Sequence, residues 1–126
     1  MSNKMKESKK NLGSAKYGAH HWWHQRVTAV ALTFLCIWLI ISLTLLTGSS
    51  YEAAYNWLKH PLVTGLSILV VVFTIYHLSL GLQVIVEDYI HTEITKVITL
   101  MLINFSCLLL GLTCCLSILF VFFGGN

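Results

Sequence analysis

Three long apolar stretches dominate the hydrophobic pattern of this 126-residue chain. Residues 27–47, 62–86 and 97–123 contain no Asp, Glu, Lys or Arg. Each stretch is long enough for a helix to cross a hydrocarbon core of about 30 Å, which takes about 20 residues. The pattern therefore predicts an all-α transmembrane fold with three spans, and a membrane domain that covers residues 18–126. A shorter interfacial helix is expected over residues 51–60, between helix-breaking residues.

The composition agrees with a membrane protein. Apolar residues make up 56% of the chain and charged residues only 10%, whereas about a quarter of a soluble domain is charged. A polar lead of 26 residues followed by an apolar run of 21 residues is too long for the short apolar region of a cleaved signal peptide, so the first span is expected to stay in the mature protein. All four cysteines lie within the spans without CxxC spacing, which favours free thiols over disulfides or a zinc site.

The positive charges are unevenly distributed along the chain. Six of the eight Lys and Arg residues precede the first span, in or just after a polar basic segment at residues 1–17, whereas the loop between the first two spans contains only Lys59. By the positive-inside rule the N-terminus faces the cytoplasm and the loop at 87–96 lies on the same side. So short a basic run beside three spans does not suggest nucleic-acid binding.

One histidine lies deep within the second span. His77 precedes Val86 by nine residues, which places it near the middle of the bilayer. An ionisable side chain is costly at this depth and usually faces a partner or a site. Two interpretations stay open, a neutral imidazole hydrogen-bonded to a neighbouring helix or an axial ligand to haem iron. Gly81, one turn further on, would leave room for a flat macrocycle on the same helix face.

The positions of the other histidines indicate where a second iron ligand could come from. None of them lies within a span. A six-coordinate haem would therefore need its second ligand from another polypeptide, which predicts a haem site at a subunit interface. A single-chain cytochrome of another kind is disfavoured for the same reason.

Two polar clusters flank the first two spans. GAHHWWHQR at residues 18–26 contains tryptophans and an arginine that suit the membrane interface, although anchoring alone does not explain its three histidines. Glu87, Asp88 and Tyr89 follow the second span. They are either a helix end in the aromatic belt or part of a quinone site. In a quinone site the phenol would donate a hydrogen bond to a carbonyl and a carboxylate would orient it or relay protons.

The stretches GAHHWWHQRVTAVAL and HLSLGLQVIVEDYIH, followed by one more span, resemble the D-type cytochrome b membrane anchor of succinate dehydrogenase, respiratory Complex II. The Ser-x-x-His-Arg opening typical of the C-type anchor is absent, which favours the D type. The resemblance implies a three-helix anchor that forms half of a heterodimeric helical bundle in the cell inner membrane. It also implies a flavoprotein subunit and an iron–sulfur subunit as partners, and a haem b shared with a second membrane anchor of the C type.

The same resemblance implies roles for individual residues. His77 would be the axial haem ligand, and Arg26 would lie near the haem propionates, with His20 as a second candidate there. Tyr89 would hydrogen-bond ubiquinone, with Asp88 beside it.

The chain is not expected to oxidise succinate by itself. It lacks a glycine-rich dinucleotide motif and a cysteine set for iron–sulfur clusters. It would instead contribute to the quinone site of a succinate:quinone oxidoreductase. The alternative is a haem-free scaffold or assembly subunit of another respiratory complex.

Overall fold

A computed structural model describes residues 2–124, with side chains described from Gly18 onward. Four helices account for nearly all of this part of the chain, namely α1 (Ser2–Leu46), α2 (Tyr51–Leu58), α3 (Pro61–Tyr89) and α4 (Glu93–Phe122). The predicted all-α fold is therefore confirmed. The side chains of the polar segment at residues 1–17 lie outside the described residues, and the cytoplasmic position of that segment stays a prediction.

Three of the helices are long and apolar enough to cross a membrane. The candidate spans are Gly18–Leu46, Pro61–Tyr89 and Glu93–Phe122, of 29, 29 and 30 residues. At about 1.5 Å per residue each extends well beyond a hydrocarbon core of about 30 Å. The predicted number of three spans is confirmed, and the polar ends of these helices have the length to reach the headgroup layers.

The loop between α1 and α3 is folded around the short helix α2. Gly48 adopts a positive φ of 82° just after α1, a conformation that favours glycine. The Ser50 side chain then accepts a hydrogen bond of 3.2 Å from the Ala53 amide and caps the first turn of α2. Pro61 starts α3, where its missing N–H costs no helical hydrogen bond. The expected short helix is thus present as α2, and its position at the membrane interface stays a prediction.

Helix α3 lies between α1 and α4 and packs against both. On the α4 side, Ser79 Oγ donates a hydrogen bond of 2.9 Å to Asn104 Oδ1, and Gly111 approaches the side chain of Ile75. On the α1 side, Thr28 is buried with only 4% of its surface exposed. This order places two different helix interfaces on opposite sides of the helix that contains His77.

Few side chains of the described region are buried. Only Leu80, Val86 and Cys107 are buried among its apolar residues, and large apolar side chains are exposed along all three spans. Such a surface is expected in lipid, because hydrocarbon chains are as apolar as the side chains and no hydrophobic force drives the helices together. Hydrogen bonds and close packing at small residues therefore matter more for this fold than area burial.

Candidate functional site

His77 lies on the part of α3 that faces α1. Its Nδ1 atom is 3.0 Å from Thr28 Oγ1, a hydrogen-bond distance between two helices. The imidazole is partly exposed, and Nε2 makes no hydrogen bond within the part of the chain that the structure describes. One ring nitrogen is thus engaged by α1, and the other is available to a ligand.

A concavity of about 280 Å³ lies beside the imidazole. It is lined by Trp22, Gln25, Arg26, Ala29 and His77. The Arg26 guanidinium carbon lies 5.3 Å from the ring centroid of Trp22, a cation–π contact that fixes the cation near the end of the span. The structure thus brings Arg26 and His77, two of the predicted site residues, to one concave surface.

Gly81 keeps the surface next to His77 open. A Cβ atom built on Gly81 would meet only the Gln25 Nε2 atom within 4 Å, at 3.9 Å. This is an ordinary van der Waals distance, so the space would admit an alanine as well. Gln25 faces Gly81 from α1, and the predicted room for a flat group beside His77 stays a prediction.

Asp88 and Tyr89 lie in the last turn of α3, which ends where the Ile90 amide donates to the Val86 carbonyl at 2.9 Å. Helical geometry places them about 17 and 18 Å along the axis from His77. At about 100° per residue, Asp88 shares the face of His77, whereas Tyr89 points about 120° away. Tyr89 is 80% exposed. The structure therefore places this pair on the same helix as His77 but not beside it.

His20 lies at a different surface from Arg26 and His77. A second, more polar cavity of about 580 Å³ is lined by Gly18, His20, His21, His24, Tyr76, Leu80, Gln83 and Glu87. The rings of His20 and His24 are 4.2 Å apart, and His24 Nδ1 lies 2.9 Å from the Tyr76 hydroxyl. The structure does not bring His20 to the concavity of His77, and its assignment to a propionate stays a prediction.

The sequence alone did not single out two polar residues near these sites. Thr28 looks like any threonine in a span, and its contact with His77 depends on how α1 is rotated against α3, which local sequence does not specify. Gln83 Nε2 donates a hydrogen bond of 2.8 Å to Glu87 Oε1. That pair could have been found, because residues four apart on a helix are neighbours.

Residues 2–122 match the family described as the succinate dehydrogenase/fumarate reductase transmembrane subunit. The chain belongs to this family. It is 43% identical over 82 residues to a Rickettsia bellii protein named succinate dehydrogenase hydrophobic membrane anchor subunit, a match that covers 64% of this chain and 65% of that protein. It is 31% identical over 100 residues to the Rickettsia typhi protein of the same name, covering 79% and 80%.

A further relative has the same name. The Paracoccus denitrificans protein of the same name is 30% identical over 84 residues, which cover 67% of this chain and 65% of that protein. This chain spans just under two thirds of the length of the Rickettsia bellii relative. No solved structure matches the chain.

These matches and the three spans establish the membrane role at a general level. The predicted resemblance to a succinate dehydrogenase membrane anchor is confirmed, and the preference for the D-type anchor is consistent with the relatives' names. The chain is a multi-pass hydrophobic membrane anchor of this family.

Proposed function

We propose that this chain is the D-type anchor of a succinate:quinone oxidoreductase, that it supplies one axial ligand of a haem b, and that it borders the site where ubiquinone is reduced. The observation that carries the proposal is the environment of His77. Its Nδ1 is held 3.0 Å from Thr28, and its Nε2 is available next to a concavity that also contains Arg26. The residue types at this surface fit the iron and the carboxylates of a haem.

Two side chains of the concavity would hold that group. His77 would bind the iron through Nε2, and Arg26 would compensate the negative charge of a propionate. Gly81, one turn from His77 on α3, carries no side chain that would compete for the space. Haem b, when bound, supplies one-electron oxidation and reduction.

A second iron ligand would come from a partner protein. His77 is the only histidine that lines this concavity in the described part of the chain. The partner in this proposal is a second cytochrome b membrane anchor, of the C type, with one histidine from each anchor.

The quinone site is assigned to the cytoplasmic end of α3. Tyr89 is exposed there, so its phenol can donate a hydrogen bond to a quinone carbonyl that arrives from the lipid. Asp88 is exposed next to it and can orient the phenol or relay protons from the aqueous side. Electrons would reach this end from an iron–sulfur subunit, which receives them from a flavoprotein that oxidises succinate.

We further propose that the chain lies in the cell inner membrane with its N-terminus in the cytoplasm. Six of eight basic residues precede or open the first span, and the outer loop holds only Lys59. This orientation puts Tyr89 on the same side as the proposed iron–sulfur partner.

One observation also suits the alternative of a haem-free scaffold. The contact between Thr28 and His77 would serve equally well as a bond between two helices. Visible absorption separates the two functions, because a scaffold would show no dithionite-reducible b-type band.

The decisive experiment is purification of the complex through a tag on this chain, followed by a dithionite-reduced minus oxidised spectrum. We expect His77→Leu to abolish or strongly alter the b-type band, because the substitution removes the iron-ligating nitrogen. His60→Leu is a matched control, since His60 is exposed in the outer loop. An unchanged band in His77→Leu would remove His77 as the ligand. Absence of any band in the unsubstituted complex would favour the scaffold.

A further inference from the structure

We propose that Thr28 positions His77 for iron binding by accepting a hydrogen bond from the Nδ1–H group, which fixes the tautomer that leaves the Nε2 lone pair free. This inference rests on the proposed haem site and adds a residue to it. Thr28 would touch neither haem nor quinone and would act only through His77. It is therefore a positioning residue.

The direction of the hydrogen bond follows from the surroundings of the hydroxyl. Thr28 Oγ1 lies 2.8 Å from the His24 carbonyl oxygen and 3.0 Å from that of Gln25. Carbonyl oxygens can only accept, and two of them lie within reach, so we assign the single hydroxyl proton to the backbone of α1. The oxygen then faces His77 Nδ1 at 3.0 Å as an acceptor. The proton between these two atoms belongs to the imidazole, and Nε2 carries none.

Burial makes this arrangement persistent. Thr28 is 4% exposed, so lipid or water has little access to replace the contact. The partial charges of a polar pair are poorly screened in such surroundings, which raises the cost of leaving either partner unpaired. The ring plane of His77 is thereby fixed relative to α1, and with it the direction in which Nε2 points.

Thr33 shows that the contact comes from position and not from residue type. Thr33 makes the same bond to its own helix, 2.8 Å to the Ala29 carbonyl oxygen, but its side chain is exposed. The described part of the chain shows no bond from Thr33 to another helix. Thr33→Val is therefore a matched control for Thr28→Val, since both remove a back-bonded hydroxyl from α1.

The expected effect on a bound haem follows from general ligand chemistry. Metal-ligating histidines usually donate the second ring N–H to an acceptor, which orients the ring and raises the basicity of the ligating nitrogen. Removal of such a partner typically weakens binding about 10- to 100-fold. A less basic imidazole also stabilises ferric iron less, which shifts the ferric-to-ferrous balance toward the reduced form at a given potential.

The test uses the purified complex with Thr28→Val, Thr28→Ser and Thr33→Val. Haem retention during dilution, the low-spin EPR signal and the haem midpoint potential are measured. We expect Thr28→Val to lose haem about tenfold more readily or worse, with a changed EPR signal and a more positive potential. Thr28→Ser keeps the acceptor and should stay within about twofold of the unsubstituted complex, and Thr33→Val should match it.

The possible results separate this inference from the haem site on which it rests. A b-type band that survives His77→Leu overturns the haem site itself. Haem that depends on His77 but is unchanged in retention, EPR signal and potential by Thr28→Val overturns only the role of Thr28. An effect of equal size in Thr33→Val would assign the change to α1 in general and would overturn it too.

A second measurement decides the matter if Thr28→Val does not assemble. The full chain is labelled with ¹⁵N-histidine and its imidazole signals are recorded in detergent without haem, with His77→Leu to assign the resonance. A proton on Nδ1 of His77 is the expected result. A proton on Nε2 would mean that Thr28 donates to the ring, which contradicts the inference.

Discussion

At the scale of single residues, exposure distinguishes the proposed haem ligand from the proposed quinone contact. His77 is half-buried against α1 and bonded to Thr28, whereas Tyr89 is 80% exposed at the end of α3. A ligand that must hold iron benefits from a fixed ring. A phenol that must meet a diffusing quinone benefits from an open surface that lipid-soluble molecules can reach.

We predict that Tyr89→Phe lowers ubiquinone reductase turnover about tenfold. The substitution removes one hydrogen bond, worth roughly 1 to 1.5 kcal/mol, while it keeps the ring. Succinate oxidation with a soluble artificial acceptor should be unaffected in the same membranes. Tyr51→Phe is the control, because Tyr51 is equally exposed, at 82%, but lies in the segment between the first two spans. Equal losses in both assays would contradict the assignment of Tyr89 to the quinone site.

At the scale of elements, α3 depends on two interfaces of different character. Toward α1 it has the polar contact between His77 and Thr28, and toward α4 it has close packing at a glycine. A Cβ atom on Gly111 would lie 3.6 Å from two carbon atoms of Ile75, which is ordinary contact. Alanine would therefore fit at Gly111, but a long side chain would not.

We predict that Gly111→Leu lowers the free energy of unfolding by about 1 to 3 kcal/mol, because overpacking forces α3 and α4 apart. Gly65→Leu is the matched control, since a Cβ atom on Gly65 meets nothing within 4 Å. Both substitutions raise intrinsic helix propensity alike. Unfolding in a detergent titration, followed by circular dichroism, measures the difference. Similar stabilities for the two variants would refute close packing at Gly111.

At the scale of the whole molecule, the fold is a row of helices and not a closed core. Helix α3 is central, α1 and α4 flank it, and apolar side chains are exposed along the described spans. Leu78 and Ile85 are exposed on the part of α3 that neither flanking helix covers. In the proposed complex this open face would receive the second anchor, which would complete the haem site beside His77.

The orientation in the membrane gives a prediction at the same scale. A single new cysteine is placed at Ser49 or at Thr92, both exposed in connecting segments on opposite sides of the membrane. The four native cysteines are replaced by serine or alanine. We expect an impermeant maleimide to label Ser49→Cys in intact spheroplasts and Thr92→Cys only after lysis, because the basic residues keep the N-terminus inside. The reverse labelling pattern would invert the proposed topology.

Particular positions show how much the sequence could predict. The spans followed from residues 27–47, 62–86 and 97–123, because uncharged apolar runs of this length have few stable alternatives in lipid. His77 stood out because an ionisable side chain is costly within the hydrocarbon layer. Arg26 and His77 lie on different helices, so their spacing along the chain did not predict that they line one concavity. Only the resemblance indicated that both would lie near a haem. The position of His20 at another surface was not foreseen.

The sequence by itself determined how many helices cross the membrane and which residues are costly to bury, because these depend on transfer into lipid. It did not determine the start of α1, which lies at Ser2, well before the apolar stretch at 27–47. Only the tertiary structure decided which faces of the helices meet. In lipid the apolar faces are nearly equivalent, so the rotation of α1 against α3 depends on a few directional contacts. The contact of the Thr28 hydroxyl with Nδ1 of His77 is one of them, and Nε2 of the same ring has no partner in the described part of the chain.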